Sequence, residues 1–196
     1  MVGYRIIGWL VGLLFTVSVW AEAPVVPYLE QARGFAEQLL REANRERRHE
    51  IGLVGLADTI YICRMTASNI SNEISCKHNV LVHRVSVNPR NLGNASPDQW
   101  EQQGFQAFQN AELKGEVLAE YYRLSEEPLG AYFRYMKPIR LAGECLPCHG
   151  QETQMSAPVL APLQQYYPYD RARNRVVGEL IGAVSVKIKV DAPATQ

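Results

Sequence analysis

Cys145, Cys148 and His149 stand in the order C-x-x-C-H within Cys145-Leu146-Pro147-Cys148-His149-Gly150. That spacing points to covalent attachment of a c-type haem. On a helical turn, residues three and four apart share a face. Two thiols can then add to the two haem vinyl groups while the following histidine turns its imidazole toward the iron. Three other chemistries use such a pair. A thioredoxin-like dithiol normally follows a strand in a βαβ unit, and the sequence around Cys145 has no such pattern. A structural zinc site needs more ligands at metal spacing. No second C-x-x-C lies nearby, and His78 and His83 fall in a strand-like run that points them to opposite faces. A plain disulfide is the third.

The other two cysteines, Cys63 and Cys76, cannot pair with each other inside one helix. A rise of ~1.5 Å per residue sets them ~20 Å apart, against the ~7 Å that a disulfide spans between Cα atoms. Cys63 lies in an apolar stripe and Cys76 well off it. Cys63 therefore reads either as a small buried hydrophobe or as a thiolate ligand of the iron, opposite His149. Met65, Met136, Met155, His78 and His83 carry the other side chains suited to that position.

These residues need elements to position them. From Pro27 the sequence reads as a helix with Leu29, Ala32, Phe35, Leu39 and Ala43 down one face, interrupted at Gly52 and Gly55. A second helix carries Leu56, Ile60, Cys63, Ala67, Ile70 and Ile74 at steps of three and four. Val80 to Val87 is strand-like, and Asn88-Pro89 with Asn91, Gly93 and Asn94 marks a loop. Ser96 opens another helix in capping-box form, with Pro97 at its first position, Gln99 three residues after the cap, and Trp100, Phe105 and Phe108 for burial. Val117 to Leu124 and Ala131 to Ile139 read as a hairpin around Ser125 to Gly130. From Leu180 to Val190, apolar residues alternate with Ser185, Lys187 and Lys189, one face buried and one wet. The class is α+β, with long N-terminal helices leading into an antiparallel sheet and helices to one side of it.

Composition narrows the function. The chain has 196 residues, 20 Lys+Arg against 20 Asp+Glu, and 47% hydrophobic residues. This excludes a disordered polyampholyte and a multi-span membrane protein. With a sequence pI near 6.9 and no cationic block, nucleic acid is not an expected partner. The short run Arg45 to Arg48 is diluted by Glu42, Glu46 and Glu50 and reads as a solvated helix face. At the N-terminus, Arg5 precedes an apolar run from Ile6 to Trp20 that is shorter than the ~20 residues needed to cross a bilayer core. Val19-Trp20-Ala21 supplies a cleavage signature. Residues 1–21 thus read as a cleaved export signal, with no other membrane segment, and residues 22–196 as one domain outside the cytoplasm. Within it, 22–78 is the helical part and 79–196 the sheet and attachment part.

Several segments together resemble the family of exported bacterial c-haem domains with a PAS-like fold, found alone or as the sensing part of signalling receptors. They are Ala57 to Cys63, His83 to Ser86 with Arg90, Asn91 and Asn94, Pro97 to Glu101, Tyr135 to Ile139, the Cys145 motif, Tyr167 to Ala172, and Gly178 to Ser185. The chain departs from the family pattern at Leu92, where proline is usual, and at His83, where a small residue is usual. The resemblance implies a PAS-like sheet holding one covalent haem c, with Cys145 and Cys148 as thioether anchors and His149 as proximal ligand. It puts Cys63 at the position of the distal cysteine ligand. Arg84 and Arg90 suit haem propionates, or ion pairs with Glu101 or Asp98. His83 is expected to be an exposed strand histidine. An iron with both axial positions filled transfers electrons or reports redox state to a partner protein, without enzymatic turnover. The alternatives are a diatomic gas sensor, in which the weaker axial ligand leaves, and a thiol–disulfide oxidoreductase.

Overall fold

The computed structural model describes residues 25–190. The expected export signal lies outside them. Helix α1 (Val25–His78) is broken at one residue, Gly55, with φ 82° and ψ 171°. This is the left-handed half of the backbone map that side-chain-bearing residues avoid. Of the two expected interruptions, only this one exists; Gly52 stays helical. Both arms of α1 reach the same core. Ala32, Ala36 and Leu39 before the break and Ile74 beyond it pack together with the sheet.

The sheet has four antiparallel strands: β1 (Leu81–Val85), β2 (Tyr121–Glu127), β3 (Gly130–Arg140) and β4 (Leu180–Lys189), in the order β1-β4-β3-β2. Alternation along the strands sends Val82, Phe133, Tyr135, Val184, Val186 and Ile188 to α1. The intervening residues Val85, Met136 and Ala183 face α3 (Gln99–Leu113), where Trp100, Phe105 and Phe108 cover them. Burial of each such side chain stabilises the fold by ~1.5–3 kcal/mol. The expected α+β class holds, but the helices lie on both faces of the sheet instead of one.

That second layer corrects the reading of β4. Because β4 is central and α3 lies over its other face, Ser185 is buried, not wet. The helix cap is also shifted. Asp98, not Ser96, caps α3: its carboxylate accepts the Glu101 N–H at 2.8 Å, and Glu101 accepts the Asp98 N–H at 2.8 Å. Ser96 instead donates to the Leu92 carbonyl at 2.9 Å, at the end of a single turn, α2 (Leu92–Ala95), inside the expected loop. The hairpin is tighter than expected. Gly130, at φ 119°, lets the chain reverse over Pro128 and Leu129, so Ser125 to Glu127 belong to β2, while 117–120 stay outside it.

Candidate functional site

A cavity of about 640 Å³ opens between α1, the ends of β1, β3 and β4, and the segment that carries the C-x-x-C-H motif. This lies within the ~300–1,000 Å³ of ordinary ligand sites. Cys145, Cys148 and His149 line one wall, Cys63 on α1 lines another, and Ile139 and Gly182 belong to its floor. All four cysteines are free thiols. Among the described residues, no three His, Cys, Asp or Glu side chains converge as ion ligands. The donors are spread around the cavity, as a broad planar group bound between them requires and a directly held zinc ion does not.

The motif is one helical turn, as its spacing requires. A 3-10 segment (Gly143–Cys145) runs into α4 (Leu146–His149), and the Gly150 N–H closes the turn on the Leu146 carbonyl at 2.8 Å. A Cβ at Gly150 would stand 2.8 Å from that oxygen, so only glycine allows this closure. The His149 Nδ1–H donates to the Ala172 carbonyl at 2.9 Å. With Nδ1 so engaged, the free lone pair is on Nε2, the arrangement common to histidines that ligate metals. Burial, with Arg90 nearby, pushes the His149 imidazolium down to about 3, so the ring is neutral at physiological pH.

Cys63 sits two turns beyond the Gly55 break. Residues around it hold its helix in place: α5 (Ala157–Tyr166) packs Val159 and Leu163 with Tyr167 against Ile60, and the Tyr167 hydroxyl donates to the Ile60 carbonyl at 3.4 Å. Burial raises the Cys63 thiol pKa, opposed by Arg47, Arg84 and Arg90. Burial raises that of Cys148 as well. Four of the rival residues are elsewhere, whereas the fifth, His83, belongs to the cavity lining. Met136 is enclosed between the sheet and α3, Met155 is in the α5 cluster, Met65 is exposed, and His78 stacks on Phe35 at the end of α1.

His83 is not an exposed strand histidine. Its Nε2 lies 3.1 Å from Glu101 Oε1, on the α3 side of the sheet. Strand alternation then turns the next residue, Arg84, to the α1 side, where it lines the cavity. Partial desolvation by the cavity walls lowers the Arg84 pKa, although the residue stays exposed to the water in the cavity. Neither Arg84 nor Arg90 pairs with Asp98 or Glu101, because Arg134 takes those carboxylates at 2.6 and 3.6 Å. Arg90 instead gives its Nε–H to Asp170 at 3.0 Å and its Nη2 to the Cys148 carbonyl.

Arg47 is not on the solvated face expected for it: it lines the cavity and reaches Glu144, next to Cys145, at 3.4 Å. Helical spacing offered a signal, since Arg47 lies four residues after Ala43 on the apolar face.

No helix of the described residues is long and apolar enough to cross a membrane. No curated protein matches the chain. Among solved structures, it is similar to the crystal structure of the cyanobacterial heme-protein Tll0287, with a TM-score of 0.56 and 23% sequence identity over 87% of this chain and 95% of that one. At this identity the likeness is one of fold. The model of the family described as Tll0287-like: Tll0287 matches residues 25–189, from the first residue of α1 to the last of β4, so the chain belongs to the Tll0287-like family.

Proposed function

We propose that the protein binds one covalent haem c in this cavity and acts in electron transfer or redox sensing. The observation that carries the reading is the meeting of a C-x-x-C-H turn and a cysteine from a distant helix at one cavity, with the histidine's Nδ1 already committed to a backbone carbonyl. The Cys145 and Cys148 thiols each add S–H across a vinyl C=C, sulfur to one carbon and hydrogen to the other. His149 offers Nε2 as the proximal ligand, and Cys63 offers its sulfur from the opposite helix. Arg84 has a guanidinium suited to a propionate, and Arg47 adds positive charge to the same cavity. When bound, the haem supplies a one-electron couple that either passes electrons or reports potential. With His149 and Cys63 both holding the group, the chain would keep no open position on it for a substrate, so electron exchange and not turnover is the role this reading gives it.

On this reading the fold is PAS-like, the protein works in the periplasm after removal of residues 1–21, and its signal or electron passes to a partner protein. The test is expression of the full chain with a c-haem maturation system. Acid–acetone extraction should leave the colour on the protein, with an intact mass increased by one haem. The ferric form should be low-spin, and carbon monoxide should bind slowly after reduction. Colour extracted into solvent would overturn covalent attachment. Rapid saturation by carbon monoxide would favour a gas sensor.

A further inference from the structure

We propose that Asp170 is the positioning residue of the attachment turn, its one buried carboxylate orienting both the Cys148 backbone and the His149 imidazole. The carboxylate side chain is fully buried, although it belongs to no helix or strand. Its two oxygens have separate tasks. Oδ2 accepts the Arg90 Nε–H at 3.0 Å, and the same guanidinium donates to the Cys148 carbonyl. Oδ1 accepts the Ala172 N–H at 2.8 Å, and the Ala172 carbonyl accepts from His149 Nδ1 at 2.9 Å.

Residues 172–175 continue the lacing. The Asn174 N–H donates to the Gly150 carbonyl at 2.8 Å, and the Arg175 N–H donates to the His149 carbonyl at 2.9 Å. Asn174 Oδ1 accepts the Glu152 N–H at 3.0 Å. The whole motif turn is thus held by a strip of chain whose first residue is Asp170.

A buried carboxylate is costly unless opposite charge and hydrogen bonds compensate it. Arg90 supplies both, and Arg173 adds a second guanidinium at 3.5 Å. Removing the carboxylate leaves Arg90 without the partner that aims it at Cys148. It also frees the Ala172 peptide to turn, and His149 then loses the acceptor that fixes its tautomer and ring plane. Arg173 differs in this respect: its other partner is Glu152, at 2.9 Å, and it does not reach the motif backbone. This role rests on the haem reading above only for what His149 goes on to ligate; the lacing belongs to the chain itself.

The test compares Asp170→Asn, Arg90→Gln and Arg173→Gln in the full chain, haem-loaded and, with both motif cysteines changed to alanine, haem-free. Asp170→Asn keeps an oxygen for Ala172 but turns an amide toward Arg90. In the haem-free chain, amide hydrogen exchange at Asn174 and Arg175 should rise about tenfold or more in Asp170→Asn and Arg90→Gln, with β3 and β4 unchanged. Arg173→Gln should leave it as in wild type. In the loaded chain, the same two variants should broaden the ferric low-spin signal into several species, reflecting several His149 orientations. Wild-type exchange at Asn174 and Arg175 in Asp170→Asn would overturn the proposal. If that variant does not fold, wild-type behaviour of Arg90→Gln would do the same. A wild-type chain that takes up no covalent haem would refute the haem reading, and the haem-free exchange would still decide the lacing.

Discussion

Replacing Arg84 by methionine should leave the haem-free chain almost unchanged and destabilise the haem-loaded one. Arg84 lines the cavity with Arg47 and Arg90 and has no hydrogen-bond or ion-pair partner among the described residues. In the haem-free chain its guanidinium is exposed to the water of the cavity, so it is hydrated and its loss changes stability by no more than ~0.5 kcal/mol. Methionine keeps the length of the apolar stem and removes the charge. For a chain of this size, each kcal/mol moves the melting temperature by ~2–4 °C, so the haem-free variant should melt within about 2 °C of wild type. In the loaded chain the substitution removes a hydrogen bond between charged groups worth ~1.5–3 kcal/mol, and melting should fall by about 3–12 °C. Circular dichroism melts at pH 7 and low salt, on loaded protein and on the double alanine variant of Cys145 and Cys148, measure both. A fall of more than about 2 °C in the haem-free variant would refute the reasoning, because Arg84 would then be stabilising the chain itself. An unchanged loaded protein would refute the pairing with a carboxylate of the ligand.

Changing Cys63 to serine should raise the reduction potential and shift the ferric spectrum, whereas Cys76→Ser, at an exposed site near the end of α1, should do neither. An unchanged potential and spectrum in the Cys63 variant would remove it as the ligand. Glu101 tests the other face of the sheet. Burial pushes its carboxyl pKa up, but the nearby His83 imidazole, the Ser185 hydroxyl and the hydrogen bond from the Asp98 N–H outweigh this and hold it below the ordinary 4.5. The stability it contributes is therefore complete above that value and is lost as pH falls through the folded-state pKa. Glu101→Gln should cost ~1–3 kcal/mol at pH 7 and flatten the acid limb of a stability–pH curve measured by urea denaturation; an acid limb as steep as in wild type would refute this.

The motif turn was legible because C-x-x-C-H specifies both its chemistry and its helical spacing. The stripe holding Cys63 was legible because Ile60 and Ile74, which share it, are buried on either side of that residue. What periodicity could not show is what covers a second face. Nothing in Leu180 to Val190 says that α3 lies over Ser185, and so the strand reads as half wet. Capping was misread for a similar reason. Ser96 and Asp98 both suit a cap, and the choice falls to Asp98 because Ser96 is engaged by the turn before it. Arg47 and the Asp170 lacing depend on contacts between distant segments, which local patterns do not encode.

Helix α1 is fastened to the sheet core at both ends and broken at Gly55, where a Cβ would meet nothing within 4 Å. On the haem reading proposed above, this biases the equilibrium of any ligand exchange at Cys63. A thiol on a free helical arm could leave and be replaced; one on a strap fixed at both ends stays close to the place it left. Its effective concentration there remains on the order of millimolar. A dissolved diatomic present at about micromolar concentration would need roughly thousandfold tighter affinity to compete. Were Cys63 a ligand, the anchoring of α1, as much as the bond strength of sulfur, would therefore disfavour gas capture and favour electron exchange.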